Sequence, residues 1–154
     1  MEISDLMTVE CVDANLRVTS KKQALQELSK RAAEVIGEHE RVIFDVLMER
    51  ERLGTTGVGN GIAIPHGKLA TLDRLYGFFA RLEAPIDFQS IDDQPVDLVF
   101  LLLAPETAGA DHLKALARVS RLLRDAGTCE KLRGTDDNEA LYVLLTQSSA
   151  SQAA

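Results

Sequence analysis

One short segment concentrates the residues of this chain that could do chemistry. It reads GVGNGIAIPHGK, residues 57–68, and contains four glycines and His66, one of three histidines in the chain. Neutral imidazole is a nucleophile that can attack phosphorus near pH 7. Glycines permit positive φ angles and allow backbone N–H groups to approach an anion closely. The segment therefore predicts either a phosphoryl site at His66 or a plain turn that ends in a histidine.

The segment does not fit the common nucleotide-binding motifs. Five residues, instead of the four of a P-loop, separate Gly61 from Gly67, and Leu69 occupies the place of the Ser or Thr that would hold magnesium. No strand pattern leads into the segment, and a strand pattern follows it where a dinucleotide-binding motif has a helix. The glycine-rich part is instead predicted to form a phosphoryl-binding loop made of Gly57, Gly59, Asn60 and Gly61. Lys68 is interpreted as a surface residue near a docking face.

Arg50 is the first candidate partner of His66. It lies seven residues after Ile43 in a predicted helix over residues 40–53, so its guanidinium continues the apolar stripe of that helix. A cation in that position needs a partner. A salt bridge, the C-terminus of the helix or a phosphoryl group beside His66 would each provide one.

His112 is the second candidate. It follows Asp111, the predicted N-cap of a third long helix, and it heads a stripe that continues through Leu116, Val119 and Leu123. The positive end of a helix favours a neutral imidazole and attracts anions, so His112 can donate a hydrogen bond to a phosphoryl oxygen. A plain surface position is the alternative. His39, between two glutamates, is given no functional role.

The elements that must position these residues follow from periodicity and capping signals. Ser20 and Gln23 have capping-box spacing at the start of a helix over residues 20–36, which Gly37 ends. Alternation predicts a strand within residues 74–88, and the apolar run 96–105 predicts a strand buried on both faces at the centre of its sheet. The third helix is expected to stop at Gly127. A short turn at CEKLRG and a last helix capped by Asp136 complete the predicted elements.

These elements predict an α/β fold: a single three-layer domain over residues 1–147, with a mixed β-sheet flanked by helices on both faces. Residues 148–154 contain no large apolar side chain and are predicted to form a disordered tail. The length of 154 residues is that of one domain.

Composition limits the function. The net charge of −7 makes nucleic acid a poor partner but suits docking to a small basic protein. No apolar run approaches the roughly 20 residues of a membrane span, and the acidic start MEISDLMTVE is unlike a secretory signal, so a cytoplasmic protein without membrane insertion is expected. Cys11 and Cys129 have no metal-ligand spacing, and neither a metal nor a cofactor is expected.

Three stretches together resemble one family. GVGNGIAIPHGK, with MERERLG before it and DHLKALARVSRLLRD after it, is similar to the phosphotransferase-system enzyme IIA family of the fructose/mannitol type, especially its nitrogen regulatory branch. The resemblance covers about residues 3–147. It implies a phosphotransferase whose His66 accepts a phosphoryl group at its tele nitrogen, with Arg50 and His112 stabilising the phosphoryl charge.

The resemblance also implies partners. The donor would be a small HPr-like phosphocarrier protein, and the regulatory targets would include potassium-transport or sensor-kinase proteins. Two alternatives stay open: a sugar-specific IIA component that passes phosphate to a transporter IIB domain, and a non-catalytic regulatory binding module in which His66 is a passive ligand.

Overall fold

A computed structural model describes the backbone of residues 1–153 and the side chains of residues 1–147. The tail predicted for residues 148–154 lies outside the residues whose side chains are described. Two single-turn 3₁₀ helices, Ile3–Asp5 and Val9–Cys11, precede the first strand. The further elements in chain order are β1 (Val12–Leu16), α1 (Lys21–Ile36), α2 (Glu40–Arg52), β2 (Gly57–Gly59), β3 (Ile62–Ala63), β4 (His66–Leu69), β5 (Tyr76–Ile86), β6 (Val96–Pro105), α3 (Ala110–Arg124), α4 (Ala126–Arg133) and α5 (Asn138–Ala153).

The strands form one mixed sheet with helices on both faces, as the sequence predicts. The strand order is β1-β5-β6-β3-β2, and β4 also pairs with β6. β5 and β6 are antiparallel, whereas β1 is parallel to β5, and both β3 and β4 are parallel to β6. β6 is central, and Asp97 is its one residue that is not fully buried. The prediction of a central strand buried on both faces is confirmed.

Capping at the start of α1 is close to the predicted arrangement. Ser20 Oγ accepts a hydrogen bond of 3.1 Å from the Gln23 backbone N–H. The Gln23 side chain reaches back to the Thr19 N–H at 2.7 Å, one residue before the position that a capping box would use. Gly37 ends the helix in the left-handed conformation, at φ 74°.

The start of α3 differs from the prediction. The helix begins at Ala110 with Gly109 as its N-cap, so Asp111 lies in the first turn and does not cap it. His112 is consequently the third residue of the helix instead of the first. An acidic residue complements the helix dipole at the N-cap and also within the first turn. The sequence therefore does not show which of these two positions Asp111 occupies.

The region after α3 also differs. α3 stops at Arg124 because Asp125 caps a new helix, α4, by accepting a 3.0 Å hydrogen bond from the Thr128 N–H. The stretch CEKLRG is therefore helical instead of forming a short turn. At α5, Asp137 replaces the predicted Asp136 as the cap, since its carboxylate accepts a 2.9 Å hydrogen bond from the Ala140 N–H.

Candidate active site

His66 lies at an interruption in a strand. β3 and β4 run along β6 in one continuous register, with Ile62 opposite Leu98 and His66 opposite Leu102. Pro65 separates them because it has no backbone N–H to donate to the sheet. His66 thus lies just beyond the end of β3 and is the first residue of β4. The imidazole is therefore attached to a strand that pairs directly with the central strand β6.

Two hydrogen bonds determine the protonation of the His66 ring. Nδ1 lies 2.9 Å from the Ile64 carbonyl oxygen, which can only accept, so Nδ1 carries the proton. Nε2 therefore has the lone pair, and it accepts a 3.2 Å hydrogen bond from Arg50 Nε–H. Burial lowers the pKa of His66 from its ordinary value. The hydrogen bond to Ile64 raises this pKa, and the Arg50 charge lowers it. The ring is therefore a neutral nucleophile near pH 7, with Nε2 as its reactive atom.

Arg50 reaches His66 from the last turn of α2. Its Nη1–H donates a 2.9 Å hydrogen bond to the Gly54 carbonyl oxygen just beyond the helix. No carboxylate lies within salt-bridge distance of its guanidinium among residues 1–147. The sequence left three possible partners for Arg50: a salt bridge, the helix C-terminus or a phosphoryl group. The structure shows the hydrogen bond at the helix C-terminus and, among residues 1–147, no salt bridge. The Arg50 guanidinium thus faces His66 without an ion pair to any carboxylate of residues 1–147.

His112 faces His66 from the first turn of α3. The two ring centroids are 5.8 Å apart, with an angle of 71° between the ring planes. Only 7% of His112 is exposed, and its Nε2 has no hydrogen-bond partner in the described part of the chain. Burial lowers its pKa, and repulsion from Lys68 and from the protonated form of His66 lowers this pKa further. A buried, unpartnered imidazole nitrogen beside a nucleophile can donate to an oxygen of a bound anion.

These three residues line one open cleft of about 600 Å³. Its other walls are the remaining side chains of the same helix and strand: Asp45, Val46, Glu49, Leu53, Gly67 and Lys68. Gly67 allows this arrangement, since a Cβ there would lie 2.5 Å from Val46 Cγ1. α2 can therefore pack against β4 closely enough for Arg50 to reach His66.

Sequence reasoning missed two features of this cleft. Lys68 shares the face of His66 because residues i and i+2 of a strand point the same way. The i, i+2 spacing of His66 and Lys68 is visible in the sequence, but β4, the strand that gives this spacing its meaning, was not predicted. Leu53 is 83% exposed, and its position on the rim follows from the end of α2, which the sequence does predict.

The glycine turn lies elsewhere. Gly57, Gly59, Asn60 and Gly61 form the β2–β3 hairpin, where Asn60 N–H donates to Asp92 Oδ2 at 3.0 Å. Gly61 has φ 80°, and a Cβ there would lie 2.5 Å from Arg133 Nη2, which donates to the Asn60 carbonyl at 2.8 Å. The structure does not bring these four residues into the cleft that contains His66. Their predicted direct contact with a phosphoryl group stays a prediction.

Comparison with known proteins identifies the family. The sequence model described as "Phosphoenolpyruvate-dependent sugar phosphotransferase system, EIIA 2" matches residues 5–148. The chain belongs to this EIIA type 2 family. The EIIA chain is 60% identical to a nitrogen regulatory protein of Bradyrhizobium diazoefficiens, over 99% of this chain and all of that protein. It is 43% identical to a nitrogen regulatory protein of Escherichia coli, covering 95% of this chain and 90% of the relative.

A solved structure has the same fold. The crystal structure of the nitrogen regulatory protein IIA-Ntr from Neisseria meningitidis superposes on this EIIA chain with a TM-score of 0.89. The two sequences are 31% identical, and the match covers 94% of this chain and 99% of the other. Membership of the family implies phosphoryl transfer and exchange of the phosphoryl group with a phosphocarrier protein.

Two further observations describe the EIIA chain. No helix in its described part combines the length and the apolar composition that a membrane span requires. Among the same residues, no three His, Cys, Asp or Glu side chains are grouped in a way that could hold a metal ion. His66, Arg50, His112 and Lys68 are the nitrogen-bearing side chains that line its cleft.

Proposed function

We propose that this EIIA chain accepts a phosphoryl group from the phosphohistidine of an HPr-like carrier onto Nε2, the tele nitrogen, of His66. In the same proposal, the phosphorylation state of His66 regulates which proteins the chain binds. One observation carries the proposal. The Ile64 carbonyl holds the proton on Nδ1, and this leaves the Nε2 lone pair at the cleft beside Arg50.

The reaction is an in-line displacement at phosphorus. The Nε2 lone pair of His66 forms the new P–N bond, the P–N bond of the carrier breaks, and its electron pair returns to the carrier imidazole. The proton on Nδ1 of His66 stays in place, and its hydrogen bond to Ile64 stabilises the charge that the ring gains. Both bonds are of the same type, so catalysis rests on positioning and on charge stabilisation.

Arg50 and His112 provide that stabilisation. The Arg50 Nε–H that now bonds Nε2 moves to an oxygen of the incoming phosphoryl group, while Nη1 keeps the side chain anchored at Gly54. His112, protonated on Nε2, gives its unused N–H to a second oxygen. Charge-assisted hydrogen bonds of this type are about twice as strong as neutral ones.

The surroundings of the cleft favour a protein donor. The exposed Leu53 offers an apolar contact, and Asp45 and Glu49 add to a net charge of −7 that attracts a basic carrier. Once phosphorylated, His66 bears roughly two further negative charges, enough to change which surface it accepts. The relatives are named nitrogen regulatory proteins, which supports a regulatory role. The proposal places this role in the cytoplasm, with potassium-transport or sensor-kinase proteins as targets.

The experiment incubates the chain with a carrier labelled on its phosphohistidine. We expect one acid-labile, base-stable phosphate per chain, and none in His66→Ala. His39→Asn is the matched control, because His39 is exposed and its side chain caps α2 by accepting a hydrogen bond from the Arg41 N–H. Uptake by His66→Ala would contradict the assignment.

A second step tests the regulatory part. Pull-downs with phosphorylated and unmodified chains are expected to recover different partners. Identical recoveries would favour the passive binding module, and onward transfer of phosphate to a transporter IIB domain would favour the sugar-specific component.

A further inference from the structure

A buried ion pair lies directly behind the candidate site. The Glu51 side chain, next to Arg50 on α2, is 5% exposed and lies 2.8 Å from Nζ of Lys21, which is 16% exposed. The same carboxylate accepts hydrogen bonds from the backbone N–H of Thr56 at 3.0 Å and from its hydroxyl at 2.6 Å. Burying a carboxylate is unfavourable unless its oxygens are paired, and here three donors converge on them.

This pair connects to the His66 ring through the backbone. Thr56 is 3% exposed, and its carbonyl accepts a 3.0 Å hydrogen bond from the Ile64 N–H. The Ile64 carbonyl in turn accepts the proton of His66 Nδ1 at 2.9 Å. A continuous path of hydrogen bonds therefore runs from Lys21 on α1, through Glu51 and Thr56, to the nitrogen that sets the tautomer of His66.

Glu51 also holds the loop whose Gly54 carbonyl binds Arg50. Gly54, whose carbonyl holds Arg50 Nη1, lies in the short connection between α2 and β2. Glu51 closes that connection by binding Thr56 at its far end. Both the orientation of His66 and the position of Arg50 thus depend on the same carboxylate.

Glu51 Oε1 accepts from Lys21 Nζ and from the Thr56 N–H, and Oε2 accepts from the Thr56 hydroxyl. Glutamine keeps one accepting oxygen for the first two donors, but it loses the charge that pairs with Lys21, and its NH₂ group would donate to the Thr56 hydroxyl instead of accepting from it. The negative charge of Glu51 also reaches the ring, since it raises the pKa of His66 against the larger lowering caused by burial.

We propose that Glu51 is a positioning residue for phosphoryl transfer: held by Lys21, it fixes Thr56 and hence the Ile64 carbonyl, which keeps His66 in the Nδ1–H tautomer. This inference rests on the proposed function for its effect on transfer, but its effect on the tautomer can be measured without any phosphoryl donor.

The test measures the ring nitrogens of unphosphorylated, ¹⁵N-histidine-labelled protein by NMR. Wild type is expected to show separate protonated Nδ1 and unprotonated Nε2 signals for His66. In Glu51→Gln the two signals should move toward each other as the second tautomer appears. Thr56→Ser, which keeps the hydroxyl, should retain the wild-type signals. Glu83→Gln is the matched control, because it removes an exposed carboxylate bonded to Arg17.

Transfer kinetics supply the second readout. We expect kcat for transfer to fall about 10- to 100-fold in Glu51→Gln, since small misplacement of a reacting group has effects of this size. The KM for the carrier should stay within about twofold, because Glu51 does not line the cleft. If Glu51→Gln does not fold, Lys21→Met/Glu51→Gln removes both charges and is measured in its place.

The outcomes are distinguishable. A folded Glu51 variant that keeps the single Nδ1–H tautomer and wild-type kcat overturns the positioning inference. A wild-type chain that accepts no phosphoryl group overturns the proposed function, whatever the tautomer signals show.

Discussion

Replacing Arg50 by glutamine removes the cation that faces His66. The side chain makes two hydrogen bonds, one of 3.2 Å to His66 Nε2 and one of 2.9 Å to the Gly54 carbonyl. In the proposed transition state the first bond passes to a phosphoryl oxygen, where a bond to a charged group contributes about 1.5–3 kcal/mol. Its loss corresponds to transfer that is about 10- to 150-fold slower. Loss of the Gly54 bond should lower the free energy of unfolding by only about 1 kcal/mol.

The assay is a single-turnover transfer from ³²P-labelled carrier, quenched on the millisecond scale and read as base-stable label. Arg50→Lys, which keeps the charge but not the planar fork, should fall between wild type and Arg50→Gln. Arg17→Gln is the matched control, because the Arg17 side chain is 84% exposed and, among residues 1–147, bonds only Glu83. Wild-type transfer by folded Arg50→Gln would refute the role of this residue.

Three further predictions concern the same cleft. His112→Phe should slow transfer at least about tenfold, because the variant cannot donate to a phosphoryl oxygen. The same change should stabilise the unmodified protein against urea, because it removes a buried nitrogen that has no partner in the described part of the chain. A destabilised variant with normal transfer would contradict both expectations. Burial lowers the pKa of His66 and His112 below 6.5, so the folded protein binds fewer protons than the unfolded chain. Their contribution to the free energy of unfolding is therefore complete above about pH 6.5. It is lost as the pH falls through the lowered pKa values, by less than about 1.4 kcal/mol per pH unit for each ring. Urea unfolding from pH 7.5 to 5 measures this, and a flat profile that His112→Phe leaves unchanged would be inconsistent with it. Gly67→Ala should slow transfer by pushing α2 and Arg50 away from His66, and adding Val46→Ala should restore the rate; failure of that rescue would show that the 2.5 Å approach to Val46 is not the cause.

The sequence predicts the elements whose signals are local. Ser20 and Gly37 mark both ends of α1, and the long apolar run identifies β6 as the central strand. The stripe positions of Arg50 and His112 are also local signals, since helical periodicity places them on inward faces. The structure brings both residues to His66, although the cap of α3 is Gly109 instead of Asp111.

Features that depend on distant contacts were not predictable in the same way. β1 has only five residues, of which Asp13 and Asn15 are poor strand formers, and its pairing with β5 crosses more than 60 positions of sequence. The glycines of the β2–β3 turn suggest an anion site. However, Asp92 accepts from the Asn60 backbone N–H and Arg133 donates to the Asn60 carbonyl, and both residues lie far along the chain. α4 was missed because Gly127 reads as a helix stop, whereas Asp125 caps a new helix there.

The nitrogen that carries the phosphate distinguishes transfer to His66 Nε2 from every other site on the chain. The chain, labelled with ¹⁵N-histidine, is incubated with phosphorylated carrier, and the phosphorus–nitrogen coupling is measured by NMR. We expect one phosphate, bonded to Nε2 of His66, with the proton still on Nδ1. Phosphate on Nδ1 of His66, on His112 or on no histidine would contradict it.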